Sequence, residues 1–232
     1  MRYLQLDFIR GIAIILMIIF HISFDLNHFH FIEIDIYNKE GFEWFYFRMF
    51  ILTLFMISVG ISLAVVNEKK IESKKVLKRF LTLITASITI SIATLIIFPN
   101  SWIYFGVLHF VAFASLIALL FVEFEWIALG IGIAIITLFN LKIIDMNFLF
   151  EMLQPLLNLP RYTEDLVPFT PWFGVVLVGI FIGKKRLFLF PLTNNRIIDS
   201  IAFLGKNSLI IYLVHQPLFF GVIAGASFLC SR

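Results

Sequence analysis

Apolar runs about as long as a bilayer is thick recur from one end of the chain to the other, at residues 8–26, 44–66, 80–98, 103–122, 126–141, 167–183 and 201–229. A hydrocarbon core of about 30 Å takes roughly 20 residues of helix to cross, and inside it the backbone must satisfy its own hydrogen bonds. The expected fold is therefore all-α, a polytopic transmembrane helix bundle of about seven spans. With 61% hydrophobic and 14% charged residues, the chain has more apolar surface than a soluble core of 232 residues could hide. No linker or low-complexity stretch divides it, so residues 1–232 read as a single transmembrane domain. Residues 146–157 are apolar enough for a short re-entrant or interfacial helix before Pro160 and Pro168 interrupt the chain.

The first apolar run follows a basic flank, as in a secretory signal, but it is too long and no small-residue cleavage site follows it. It reads as a retained first helix. Cys230 is the sole cysteine, so an internal disulfide and a thiolate-based metal site are both excluded. Lys and Arg gather in two loops, residues 67–79 and 184–206, and positive residues stay in the cytoplasm. The loops carrying Glu33, Asp35, Glu40 and Glu43, and Asp145, Glu151, Glu164 and Asp165, go outside. This sets the N-terminus inside and the C-terminus outside, in a multi-pass protein of the inner (cytoplasmic) membrane. The turn with Glu123 and Glu125 sits awkwardly on the basic side. The net charge of +3 follows from this loop asymmetry rather than from nucleic-acid binding.

Ionisable residues within a span are costly, so they are expected to face a cavity or a partner. At about 100° per residue, Asp7, Arg10, His21 and Asp25 share one stripe of the first helix. Asp7 and Arg10 are an interfacial ion pair in the bland reading. His21 lies about 21 Å further along the axis, in the outer half of the bilayer, where Asp25 can accept from one ring nitrogen. In the last span Ser208, Tyr212 and His215 share a stripe, and Pro217 leaves the Leu213 carbonyl without its helical donor. His109 falls just below the outer surface on the face of Trp102. Three histidines, His21, His109 and His215, thus meet one depth and favour a site over three packing roles. Arg48 either clamps a substrate oxygen or snorkels to the headgroups. His28 and His30 stand in the outer loop.

Three activities fit such a site. The imidazoles can act as general bases, relay protons in a small proton-coupled transporter, or serve as axial ligands of a b-type haem. A transporter of the common kind would show an inverted internal repeat, and none is visible.

The order of residues narrows the choice. Leu6-Asp7-Phe8-Ile9-Arg10-Gly11-Ile12-Ala13 through Met17 to Phe20-His21, then Phe55-Met56-Ile57-Ser58-Val59-Gly60, Gly106-Val107-Leu108-His109, and Leu204-Gly205-Lys206-Asn207-Ser208 through Tyr212 to His215-Gln216-Pro217 together resemble one family. It is the heparan-alpha-glucosaminide N-acetyltransferase catalytic-domain family, in its short bacterial form, within the wider transmembrane acyltransferase superfamily. The resemblance covers nearly the whole chain. It implies transfer of an acetyl or other acyl group from cytoplasmic acetyl-CoA (acyl-CoA) to an extracytoplasmic amino or hydroxyl acceptor, such as a glycan or amino sugar. No metal is implied. The family's polar residue at the end of the first helix falls on His21, where lysosomal relatives look like they carry asparagine. Its closing Asn-Ser and histidine fall on Asn207, Ser208 and His215. A histidine in the first luminal loop of the lysosomal enzymes has His28 and His30 as candidates here.

On this reading His21, Asp25, His109 and His215 are the catalytic candidates, with Asp25 stabilising an imidazolium. Arg10, Asp7, Lys206, Asn207 and Ser208 bind the CoA end, Arg10 and Lys206 facing its phosphates. Arg48, Tyr212 and Trp102 contact the acceptor. The expected partners are the lipid bilayer, acyl-CoA, the acceptor and, in a homodimer, a second copy.

Overall fold

The computed structural model describes residues 3–34, 42–145, 154–157, 159–160, 163, 165–193 and 195–230. Its elements are helices: α1 (Leu4–His28), α2 (Phe42–Val66), α3 (Ser73–Ile97), α4 (Val107–Ala118) continued by a 3-10 turn (Leu119–Phe121), α5 (Glu125–Asn140), α6 (Phe169–Lys184), α7 (Arg196–Lys206) and α8 (Ser208–Cys230). Residues 154–157 add a helical turn, while 146–153 of the expected interfacial helix lie outside the described residues. Helices α1, α2, α3 and α8 are long and apolar enough to cross a membrane, and the helices at Val107–Phe121, α5 and α6 are apolar but shorter.

Around an apolar core, the outer surface of the helices is apolar too, and some ionisable groups are hidden. Along α8 the one buried residue is His215, while Ile210, Val214, Leu218 and Val222 face outward. Helix α1 buries both Asp7 and Asp25. Hiding the ionisable groups and exposing the aliphatic ones is the favourable arrangement when the solvent is hydrocarbon. The chain is a multi-pass membrane helix bundle.

It divides into two compact units whose border falls within α2. The terminal unit comprises Arg2–Phe55 and Leu189–Arg232, and the central unit Met56–Phe188. In the terminal unit α7 lies against the first turns of α1 through two glycines. A Cβ at Gly11 would run into the Ile201 carbonyl, and one at Gly205 into the Asp7 carbonyl. Helix α8 then runs alongside α1 in the same direction. Tyr212 and Ile211 flank the core of Ile14, Met17 and Ile51, His215 meets His21, and Phe220 meets His28. The two helices therefore end on the same side.

In the central unit the connections alternate from end to end. Arg186 forks onto Glu68 at 2.8 and 3.1 Å, and Lys185 donates to Glu125 at 3.0 Å while standing 5.0 Å over the Trp126 ring. The Lys185 bond holds the Glu125 carboxyl below its ordinary range. These contacts gather the loops after α2, before α5 and after α6 at one end. At the other end Val167 donates to the Phe105 carbonyl and Val107 to Asp165, so the entries to α4 and α6 are together. Glu125 of the acidic turn, awkward in the sequence, is thus paired with the basic loop it meets.

Two expected spans are corrected. Residues 103–106 precede α4, because Gly106 is extended (φ −92°, ψ −171°). The expected run 201–229 is two helices, since Asn207 (φ −105°, ψ 20°) closes α7 by donating its backbone N–H to the Phe203 and Leu204 carbonyls. Helices α1, α5 and α6 each end with a left-handed residue, His30 (φ 60°), Lys142 (φ 58°) and Arg186 (φ 57°). In all three, the next N–H reaches back five residues (Phe31 to Leu26, Ile143 to Leu138, Leu187 to Ile182), the Schellman pattern that glycine usually supplies.

Candidate active site

Two imidazoles meet where α1 and α8 run side by side. The His21 and His215 rings are 4.8 Å apart, edge to face at 75°. Each is tied at Nδ1 to its own helix: His21 to the Met17 carbonyl at 2.9 Å, and His215 to the Tyr212 carbonyl at 2.8 Å, with Ile211 at 3.2 Å. A carbonyl only accepts, so in the neutral rings the proton sits on Nδ1 and the lone pair on Nε2. His215 is 5% exposed, and its Nε2 is buried with no hydrogen-bond partner. In their neutral forms the two rings share one tautomer, with Nε2 as the basic atom of each.

Asp25 does not support His21 as the sequence suggested. Its Oδ1 accepts from Gln216 Nε2 at 2.8 Å, and His21 turns its Nδ1 to the Met17 carbonyl one turn back on α1. A ring that reaches its own helix needs no second chain segment to hold it, and this leaves the carboxylate to α8. Gln216 is the residue that sequence reasoning missed. The signal was its place between His215 and Pro217, opposite a buried acid that needs a donor. Arg48 is an electrostatic neighbour of His21, and the Tyr212 ring lies 5.8 Å from His215.

The other end of the same helices carries the remaining polar residues of the two end motifs. Arg10 pairs with the buried Asp7 at 3.6 Å. Lys206 is exposed at the end of α7, the Asn207 side chain donates to the Phe203 carbonyl at 2.9 Å, and Ser208 opens α8. These groups border the glycine contact of α1 with α7.

His109 and Trp102 belong to the central unit. His109 Nδ1 accepts from the Gly106 N–H at 3.3 Å, which leaves its proton on Nε2, 3.2 Å from Ser91 Oγ; that hydroxyl donates to the Ile103 carbonyl at 2.6 Å. Both ring nitrogens are engaged in closing the start of α4 against α3. Trp102 lies before α4, its ring 5.8 Å from that of Tyr104 and its carbonyl accepting from Thr163. His28 and His30 are exposed at the end of α1, where His28 packs against Phe29 and Phe220. Among the described residues no group of three or more His, Cys, Asp or Glu stands in a metal-binding arrangement.

The family model described as heparan-alpha-glucosaminide N-acetyltransferase, catalytic, matches residues 2–217. The chain belongs to this family. As a heparan-alpha-glucosaminide N-acetyltransferase family protein it is a membrane-associated acetyltransferase, acting with acyl-CoA on an extracytoplasmic acceptor. The family match runs through both units and closes at Pro217, just past His215 and Gln216. No curated protein and no solved structure matches the chain.

Proposed function

We propose that His21 and His215 are the chemical centre of this acetyltransferase, and that residues 1–232 work as one domain with seven crossings in the inner membrane. The positive loops set the basic ends in the cytoplasm, and the end-to-end alternation within the central unit supports such a path. With α8 parallel to α1, an N-terminus inside places Cys230 outside. Acetyl-CoA then engages Arg10, Lys206, Asn207 and Ser208 at the inner ends of α1 and α8, and its thioester reaches the imidazoles. The acceptor, a sugar amine or hydroxyl, enters from the outer side past Arg48 and Tyr212.

The chemistry is direct transfer. The acceptor nitrogen or oxygen attacks the thioester carbonyl carbon while an imidazole Nε2 takes its proton, and the C–S bond then breaks. The CoA thiolate leaves and recovers that proton as a thiol. Arg48, beside His21, offers N–H donors to the carbonyl oxygen or to a sugar oxygen. His109, with both nitrogens committed, positions α4, and Trp102 serves the same loop.

The observation that carries this reading is the buried, unpartnered Nε2 of His215 beside a second imidazole of the same tautomer. Thioester cleavage by the purified protein in nanodiscs, followed as free thiol with amino-sugar acceptors, tests it. His21→Ala is expected to lower turnover by about 10²–10⁴-fold with acetyl-CoA binding retained. A folded variant with full turnover overturns the assignment.

A further inference from the structure

Beside the imidazole pair the terminal unit holds a second polar pair with unusual accounting. Asp25 is 0% exposed, yet the group that donates to it is a neutral amide, Gln216 Nε2 at 2.8 Å. Asp25 Oδ2, Gln216 Oε1 and His215 Nε2 are each buried and make no hydrogen bond. The carboxylate fixes the Gln216 amide with its nitrogen inward, so Oε1 is an acceptor. The Tyr212 carbonyl fixes the His215 tautomer, so Nε2 is an acceptor too. His21 and Asp25 are one turn apart on α1, and His215 and Gln216 are consecutive on α8, so these acceptors line a single helix contact.

A buried carboxylate with one neutral partner is costly, and what completes this set is a group made of donors that carries positive charge. A primary ammonium supplies three N–H bonds and one charge. A hydroxyl supplies one donor and leaves the carboxylate uncompensated. The other titratable groups nearby are His28, exposed one turn beyond Asp25, and Arg48, which acts on His21.

We propose that Asp25 and Gln216 form a cation subsite that receives the acceptor's amino group as an ammonium ion and selects it over a hydroxyl, with Gln216 positioning the carboxylate. The subsite rests on the acetyl-transfer reading of His21 and His215, and it explains why two imidazoles stand together. An ammonium sheds two protons on becoming an amide. The first frees the lone pair. The second leaves nitrogen as the C–N bond forms and the C–S bond breaks. Two neutral Nε2 atoms take one proton each, of which one passes to the CoA thiolate and the other to water.

The probes are glucosamine and glucose, which differ by an amine for a hydroxyl. Thioester cleavage and the thermal midpoint without acetyl-CoA are measured with each sugar on the wild type, Asp25→Asn and Gln216→Met in nanodiscs. The wild type is expected to be stabilised by glucosamine and to prefer it in kcat/KM by on the order of 100-fold or more. Asp25→Asn raises the glucosamine KM by about tenfold or more and Gln216→Met by about threefold or more, both with wild-type acetyl-CoA binding. Three results each overturn the subsite: no glucosamine-dependent stabilisation of the wild type, equal use of both sugars, or an Asp25→Asn variant that keeps the glucosamine KM. Stabilisation by glucosamine that Asp25→Asn abolishes, without thioester cleavage, upholds the subsite while removing the acetyl-transfer reading. Should Asp25→Asn not fold, Gln216→Met decides by the same KM criterion.

Discussion

Gly205→Ala isolates the contact that sets α7 against α1. The added Cβ would overlap the Asp7 carbonyl oxygen and lie 2.6 Å from the Gly11 nitrogen and 2.8 Å from the Asp7 carbonyl carbon. All three are backbone atoms of a regular helix, so no side-chain rotation relieves the overlap and the helices must separate. Overpacking costs about 1–3 kcal/mol, and a rigid neighbour puts this site near the top of that range. Alanine returns about 1 kcal/mol of helix propensity. The net loss of about 2 kcal/mol is roughly a 30-fold shift in the folding equilibrium. Gly221→Ala on α8 is the matched control, because nothing lies within 4 Å of its Cβ. Thermal unfolding of both variants in nanodiscs, with acetyl-CoA binding measured on each, should show Gly205→Ala destabilised and weakened in binding and Gly221→Ala unchanged or slightly stabilised. Equal behaviour of the two would refute the close packing of α7 on α1 at Asp7 and Gly11.

Two further outcomes are expected. His109→Ala removes the ring that joins Gly106 to Ser91, so it should lower stability by about 1–3 kcal/mol while thioester turnover per folded molecule stays within a few-fold of wild type; a loss of turnover at full stability would make His109 a base. Lys142→Gly relieves a left-handed residue at the end of α5 and should stabilise by up to about 1 kcal/mol in thermal unfolding, whereas a lower midpoint would show that the lysine side chain matters more than its backbone.

What the sequence disclosed follows the physics of each signal. Hydropathy marks a helix wherever twenty residues must sit in lipid, so α1, α2 and α3 lie where the apolar runs are. The charge rule found the basic ends, though not the partners, because Glu125 and Lys185 are 60 residues apart and only the fold brings them together. The break at Asn207 was hidden because an amphipathic interfacial helix and a span are both apolar on average. Within the site, the helical stripe placed His21 and Asp25 on one face of α1 and His215 on the inner face of α8, since a period of about 100° per residue fixes direction. It gave no means of choosing among partners. A ring nitrogen finds its own i−4 carbonyl at little entropic cost, and neither the Met17 bond of His21 nor the release of Asp25 to Gln216 is written in spacing. His109 shares its residue type with the other two, but it belongs to the central unit and has both ring nitrogens engaged.

The central claim is that His21 and His215 act as one unit, and a double-mutant cycle on thioester turnover measures that directly. His21→Ala, His215→Ala and the double variant, each confirmed folded and binding acetyl-CoA, are compared with wild type under single-turnover conditions. Residues that act together are strongly non-additive, so the double variant should be about as slow as the slower single one. Losses that multiply, or a single variant that keeps wild-type turnover, would contradict the paired centre.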